Sequence, residues 1–74
     1  MKEFILIATG MKCPRPLFEV SKAIKEVPAG GFLVVHADDA AFPPDIRAWC
    51  RRTGNELVAI NENVHHFVAR ICKS

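Results

Sequence analysis

The residues best suited to chemistry form one short segment, Cys13-Pro14-Arg15-Pro16, which follows Lys12. Proline suits the first position of a helix, because the N–H groups of the first turn have no partner within the helix. Pro14 therefore predicts a helix start that places Cys13 at the N-cap. Free N–H groups and the positive end of the helix dipole stabilise a thiolate there, so we predict that the pKa of Cys13 is depressed.

The neighbours of this thiol strengthen the prediction of a reactive cysteine. Lys12 and Arg15 add positive charge on either side of Cys13, and Pro16 stiffens the turn and holds the sulfur outward. Such a setting activates a sulfur nucleophile without a catalytic base. The alternative is a cysteine that only caps the helix, although cysteine is a poorer N-cap than serine, aspartate or asparagine.

The other two cysteines are predicted to pack rather than react. Three cysteines without a Cys-x-x-Cys pair argue against a disulfide framework, a zinc ribbon and a thioredoxin-like redox site. Cys50 follows Trp49 on the apolar side of a predicted helix and is interpreted as a small core residue, with a resolving thiol for Cys13 as the alternative. Cys72 is predicted to be inert.

No metal or cofactor is predicted from the remaining polar residues. His65 and His66 are adjacent in the chain, so they would point to opposite faces of a strand and are interpreted as part of a solvated turn. Asp38, Asp39 and Asp45 bracket the start of the second predicted helix. Three acids in this position are typical of helix caps and turns, which we favour over a metal site.

Composition limits the kind of protein that this chain can be. It has 74 residues, 50% hydrophobic and 24% charged, with a net charge of +2, which predicts one globular domain over residues 1–74 and a thin core without a deep cleft. No apolar run is long enough for a membrane span or a secretory signal, so we expect a cytoplasmic protein. The low net charge and the absence of tyrosine disfavour an RNA-binding domain.

The hydrophobic pattern alternates between strands and helices. The first helix has apolar residues at spacings of three and four and ends at Pro28-Ala29-Gly30-Gly31, and Gly54 fits a cap at the end of the second. The last two strands are joined by turn residues and should form a hairpin. The predicted elements are a strand at Glu3 to Ala8, a helix from Pro14, a strand at Phe32 to Ala37, a helix from Pro44 and Asp45, a strand at Glu56 to Ile60, a turn at Asn61 to Asn63, and a strand at Phe67 to Cys72.

This order predicts an α+β fold, a two-layer α/β sandwich with the order β-α-β-α-β-β. A four-stranded mixed sheet with both helices on one face is the economical way to bury the two apolar helix stripes. The other sheet face would carry Ile5 or Ile7, Val34, Val58 or its neighbours, and Cys72. That face is either a half-exposed surface or, if bare, an apolar contact surface.

With these features together, the sequence resembles the TusA/SirA family of small sulfur-carrier proteins, from about Leu6 to Lys73. The Cys-Pro-x-Pro segment at a helix start is the signature of that family. The resemblance also rests on shorter matches, which are Gly10-Met11-Lys12, Pro28-Ala29-Gly30, Asp38-Asp39, Asp45-Ile46, Gly54-Asn55-Glu56-Leu57 and the ending Ile71 to Lys73.

The resemblance implies the same sandwich and a role as a sulfur carrier or sulfurtransferase. Cys13 would accept a sulfane sulfur as a persulfide from a cysteine desulfurase or a rhodanese-like protein, at a site shaped by Lys12, Pro14, Arg15 and Pro16. It would then relay the sulfur to an acceptor protein, in tRNA thiolation, sulfur oxidation or other sulfur trafficking, without direct contact to nucleic acid or membrane. The alternative is a non-catalytic regulatory or protein-interaction module on the same fold.

Three positions depart from the family pattern. Ile7 and Thr9 stand where many members have an aspartate and an arginine, and Ala40 stands where a proline often follows the aspartate. Charged residues near the cysteine are plausible docking contacts. The departures therefore bear on the choice of partners rather than on the fold.

Overall fold

The computed structural model describes residues 2–74, which form an alternating series of strands and helices. A single 3₁₀ turn at Ile24–Glu26 extends the first helix towards the proline- and glycine-rich stop. The elements are β1 (Glu3–Ala8), α1 (Arg15–Ala23), β2 (Phe32–Ala37), α2 (Phe42–Thr53), β3 (Glu56–Glu62) and β4 (Phe67–Cys72).

The four strands form one mixed sheet in the order β1-β2-β4-β3. Strands β1 and β2 are parallel neighbours, and their last residues, Ala8 and Ala37, are paired in register. Strand β4 runs antiparallel to both β2 and β3, with an irregularity between Leu57 and Ala59. The predicted α+β fold with a four-stranded mixed sheet is confirmed.

Burial alternates along the strands and shows which face of the sheet carries the helices. Leu33, Val35 and Ala37 of β2 are buried, whereas Phe32, Val34 and His36 are only half-buried. The buried strand residues share one core cluster with residues of both helices, so α1 and α2 cover the same face. The cluster consists of Ala8, Val20, Ile24, Val27, Leu33, Val35, Ala37, Phe42, Ile46, Trp49, Cys50, Ala69 and Ile71.

The second face of the sheet, which we call the open face, is not covered by the helices. Ile5, Ile7 and Val58 are 67%, 59% and 45% exposed on it. The guanidinium of Arg70 lies over the ring of Phe32, 4.3 Å from its centroid, and also pairs with the carboxylate of Glu3. The open face is therefore partly apolar, and the pair of Arg70 and Glu3 lies beside the Phe32 ring.

Two predicted boundaries are wrong. Helix α2 begins at Phe42 rather than Pro44, because prolines in the first turn do not interrupt helical hydrogen bonds. Strand β3 continues through Asn61 and Glu62, so the turn is not at Asn61 to Asn63. The connection comes later, where the Asn63 N–H donates to the carbonyl of His66 at 2.9 Å.

The end of α2 follows the prediction from Gly54. This glycine lies in the left-handed region with φ of 78°, and its N–H donates to the Cys50 carbonyl at 3.0 Å. A residue with a side chain is strained in that conformation. None of the helices within residues 2–74 has the length and apolar character needed to cross a membrane.

Candidate functional site

Cys13 lies in the loop between β1 and α1, at the edge of the sheet where β1 and β2 end. Because these strands are parallel neighbours, the loop that follows β1 meets the loop that follows β2. The first loop carries Gly10 and Cys13, and the second carries Asp38 and Asp39. The topology therefore brings together two segments that are distant in the chain, and the exposed thiol of Cys13 lies where they meet.

Three carboxylates bind the Cys13 loop. The N–H of Gly10 donates to Oδ1 of Asp38 at 2.9 Å, and the N–H of Cys13 donates to Oδ2 of Asp39 at 3.1 Å. The thiol of Cys13 donates to Oδ2 of Asp45, which lies in the first turn of α2, with Sγ and Oδ2 3.0 Å apart. Both the backbone and the sulfur of Cys13 are thus held by acids from the β2–α2 segment.

These acids reverse the predicted electrostatics of the thiol. The hydrogen bond to Asp45 raises the pKa of Cys13 above its ordinary value of 9.0, and partial desolvation and the negative charges of Asp45 and Asp39 act in the same direction. The predicted depression of this pKa is wrong. A carboxylate that accepts the S–H favours the neutral thiol, so the free protein holds Cys13 in its protonated form at neutral pH.

The helix start also differs from the prediction. Helix α1 begins at Arg15, its N-cap is Pro14, and no side chain caps it. Cys13 therefore lies one residue before the cap, and its N–H is directed to Asp39 rather than along the helix. Pro16 lies in the first helical turn and is buried, which fixes the direction in which α1 leaves the loop.

The two basic residues predicted to shape the site flank the thiol in the chain. Lys12 and Arg15 are both exposed. The groups that shift the pKa of Cys13 are the carboxylates of Asp45 and Asp39, and neither basic residue is among them. The position of Lys12 and Arg15 leaves them accessible at the surface around the thiol.

The remaining cysteines differ from Cys13 in exposure. Cys50 is 3% exposed within the core, as predicted for a packing residue, and burial raises its pKa to about 11. Cys72 is half-buried at the end of β4, on the open face. All three are free thiols.

We expect native-state alkylation to reach Cys13 and Cys72, which are not fully buried, before Cys50. A raised pKa leaves Cys50 protonated until the pH approaches about 11, and burial excludes the reagent as well. Peptide mass spectrometry after timed treatment with iodoacetamide, with and without urea, measures this order. Modification of Cys50 before Cys72 in the native protein would contradict the packing described above.

A pair of histidines forms a contact that the sequence did not predict. Nδ1 of His36 and Nε2 of His66 are 3.0 Å apart, and the ring centroids are 5.2 Å apart, which fits a direct hydrogen bond. His66 was interpreted as part of a solvated turn, but it is half-buried against a residue of β2 that lies 30 positions away. Residues 2–74 contain no group of three or more ligands that could hold a metal ion.

The positions that depart from the family pattern lie in different places. Ile7 is 59% exposed on the open face, which is the face away from the helices. Thr9 and Ala40 are exposed in the two loops that meet at Cys13. Thr9 and Ala40 therefore belong to the surface around the thiol, and Ile7 adds to the apolar open face.

Comparison with known proteins gives the family. Residues 6–73 match the family described as Sulfurtransferase TusA. One relative is NMA0882 of Neisseria meningitidis serogroup A, which is provisionally named a sulfur carrier protein. It is 39% identical to this chain over 62 residues, and the match covers 84% of each chain. The sulfur carrier protein TusA of Pseudomonas putida is 36% identical over 69 residues, which are 93% of this chain and 86% of that one.

A third relative is longer than this chain. YrkF of Bacillus subtilis, also provisionally named a sulfur carrier, is 35% identical over 69 residues. The match covers 89% of this chain but spans only 37% of the length of YrkF. With a match from residue 6 to residue 73, the chain belongs to the TusA sulfurtransferase family.

Proposed function

We propose that this protein is a sulfur carrier in which Sγ of Cys13 accepts a sulfane sulfur as a persulfide and passes it to an acceptor protein. The observation that carries the proposal is the position of Cys13, a free and exposed thiol in a loop held by three carboxylates. Cys50 is buried in the core, and Cys72 is half-buried at a strand end. The sulfur-carrier names of the relatives support the same role.

A relay through a surface thiol fits the shape of this molecule. Cys13 is exposed at the surface, where the active site of a partner can reach its sulfur. A donor of the cysteine desulfurase or rhodanese-like class and an acceptor protein would use this surface in turn. The accessible charges of Lys12 and Arg15 favour partners with acidic rims, since complementary charge speeds encounter.

The free cysteines favour a reducing compartment. Three unpaired thiols in a small protein are typical of the cytoplasm, where a persulfide relay operates among reduced proteins. The identity of the acceptor would then set the pathway, which is tRNA thiolation, sulfur oxidation or other sulfur trafficking.

The proposal is tested by mapping where sulfur is added. The protein is incubated with a cysteine desulfurase and cysteine, or with inorganic polysulfide, and its intact mass and its peptides are measured. We expect one added sulfur atom on the peptide that contains Cys13, and its loss after treatment with a reductant. Addition only to the Cys72 peptide, or no addition at all, would overturn the proposal.

A further inference from the structure

We propose that Asp45 is a positioning residue that holds the Cys13 thiol in its protonated, weakly nucleophilic form while the protein is free, an inference that rests on the proposed role of Cys13 as sulfur acceptor. The geometry is direct, because Sγ and Oδ2 are 3.0 Å apart. Asp45 would then restrain the reactivity of an exposed thiol until a partner engages it.

Both ends of this contact are fixed by the surrounding structure. The N–H of Asp45 donates to the carbonyl of Ala41 at 3.1 Å, and the next residue, Ile46, is fully buried. On the other side, Asp39 binds the N–H of Cys13. The backbone segments that carry the thiol and the carboxylate are therefore both held by hydrogen bonds, which places the two side chains next to each other.

The hydrogen bond to Asp45 opposes the first step of sulfur uptake, which is the ionisation of the Cys13 thiol. The S–H bond of Cys13 must break, with its proton passing to solvent, before the thiolate attacks the outer sulfur of a donor persulfide. The donor S–S bond then breaks, its electron pair stays on the donor cysteine, and that sulfur takes up a proton. The outer sulfur keeps its hydrogen and forms the new S–S bond at Cys13, so a sulfane sulfur moves between proteins without net oxidation.

Protection of the resting thiol is the advantage of such an arrangement. Oxidation and alkylation of cysteine follow thiolate character and exposure, and Cys13 is exposed. The carboxylate keeps the exposed sulfur in the form that reacts least. A docked partner that offers Asp45 another hydrogen-bond donor would free the thiol to ionise at the moment of transfer.

Removing the carboxylate changes the reactivity of Cys13 in two opposite ways, through its thiolate fraction and through the nucleophilicity of the thiolate. Each pKa unit by which a thiol is lowered raises its thiolate fraction at neutral pH about tenfold, whereas its intrinsic nucleophilicity falls about threefold. The net gain is roughly threefold per unit. Asp45→Asn removes the charge that opposes ionisation, so alkylation of Cys13 should become faster and its pH profile should move to lower pH.

The test is the rate of Cys13 alkylation by iodoacetamide across the pH range of the thiol, followed on the Cys13 peptide. We expect Asp45→Asn to react faster than the wild type at neutral pH, by about threefold for each unit by which the thiol pKa falls. Glu26→Gln is the control, because it removes an equal charge from an exposed carboxylate in the 3₁₀ turn at the far end of α1, away from the Cys13 loop. Its profile should coincide with that of the wild type, whereas Asp45→Glu should restore part of the restraint.

The outcome distinguishes this role from a structural one. An acid in the first helical turn also stabilises the helix dipole, and that role alone would change stability but leave the pH profile unmoved. A folded Asp45→Asn variant with the wild-type profile would overturn the inference. If Asp45→Asn does not fold, Asp45→Ala gives the same test, because alanine also removes the charge and is the residue that helices accept best.

Alkylation does not depend on sulfur transfer, so the two proposals fail separately. A wild-type protein that takes up no sulfur refutes the carrier function, whatever the pH profiles show. A wild-type protein that loads on Cys13, with an Asp45→Asn profile identical to it, refutes only the role of Asp45. Where both hold, Asp45→Asn should also load faster than the wild type from inorganic polysulfide at neutral pH.

Discussion

Replacement of Cys13 by serine is expected to abolish sulfur loading of the protein completely. A serine hydroxyl keeps the size and polarity of the side chain but cannot form a persulfide. Because Cys13 is exposed, the substitution should leave the free energy of unfolding nearly unchanged. Intact mass after incubation with a desulfurase and cysteine measures loading, and urea denaturation confirms that the fold is retained.

The matched control for this variant is Cys72→Ser, which removes the other thiol that is not fully buried. It should load as the wild type does, because Cys13 is unchanged. Undiminished loading of Cys13→Ser would place the sulfur on Cys72 or Cys50 and refute the carrier role of Cys13. If Cys13→Ser also replaced the wild type in a deletion strain, the non-catalytic interaction module would be the better interpretation.

The chemistry of the site could be predicted from the sequence only in part. The Cys-Pro-x-Pro segment identified the candidate thiol, because its residues are adjacent in the chain. The state of that thiol depends on Asp45, which lies 32 positions further along. The neighbouring residues predicted that Cys13 lies at the positive end of a helix dipole. The parallel pairing of β1 and β2 instead places it next to carboxylates. The direction of the pKa shift at Cys13 could therefore not be predicted from the residues next to it in the chain.

The same limit applies to the acids themselves. Asp38 and Asp39 were interpreted as turn and cap residues, which is the common role of acids near a helix start. In the structure their side chains instead bind the N–H groups of Gly10 and Cys13, across the gap between two loops. The sequence does show two adjacent acids after a buried strand. Only the strand order shows that these acids face the loop that carries Cys13.

Most of the fold was predictable because strands and helices leave periodic patterns. In β2 the buried side chains alternate, and Val20 of α1 and Ile24 of the 3₁₀ turn that extends it are buried at helical spacing. The pattern did not reveal the contact between His36 and His66. Their adjacency depends on β2 and β4 being neighbours, which is a property of strand order rather than of either segment.

The second large effect is expected in the core. Phe42→Ala should destabilise the protein by about 3–5 kcal/mol, because Phe42 is 2% exposed and its removal leaves a cavity. A domain of this size has a total stability of roughly 4–11 kcal/mol, so much of it would be lost. Phe42 opens α2, and its N–H donates to the carbonyl of Asp39 at 2.9 Å. Loosening this turn should also release Asp45 from Cys13.

Urea denaturation followed by circular dichroism measures the loss of stability, and Phe18→Ala is the matched control. Phe18 is 63% exposed on α1, so the same truncation there should change stability by about 0.5 kcal/mol or less. Phe42→Leu, which conserves most of the volume, should lie between them at less than about 1.5 kcal/mol. Equal effects of the alanine substitutions at Phe42 and Phe18 would contradict the burial on which the position of α2, and therefore of Asp45, depends.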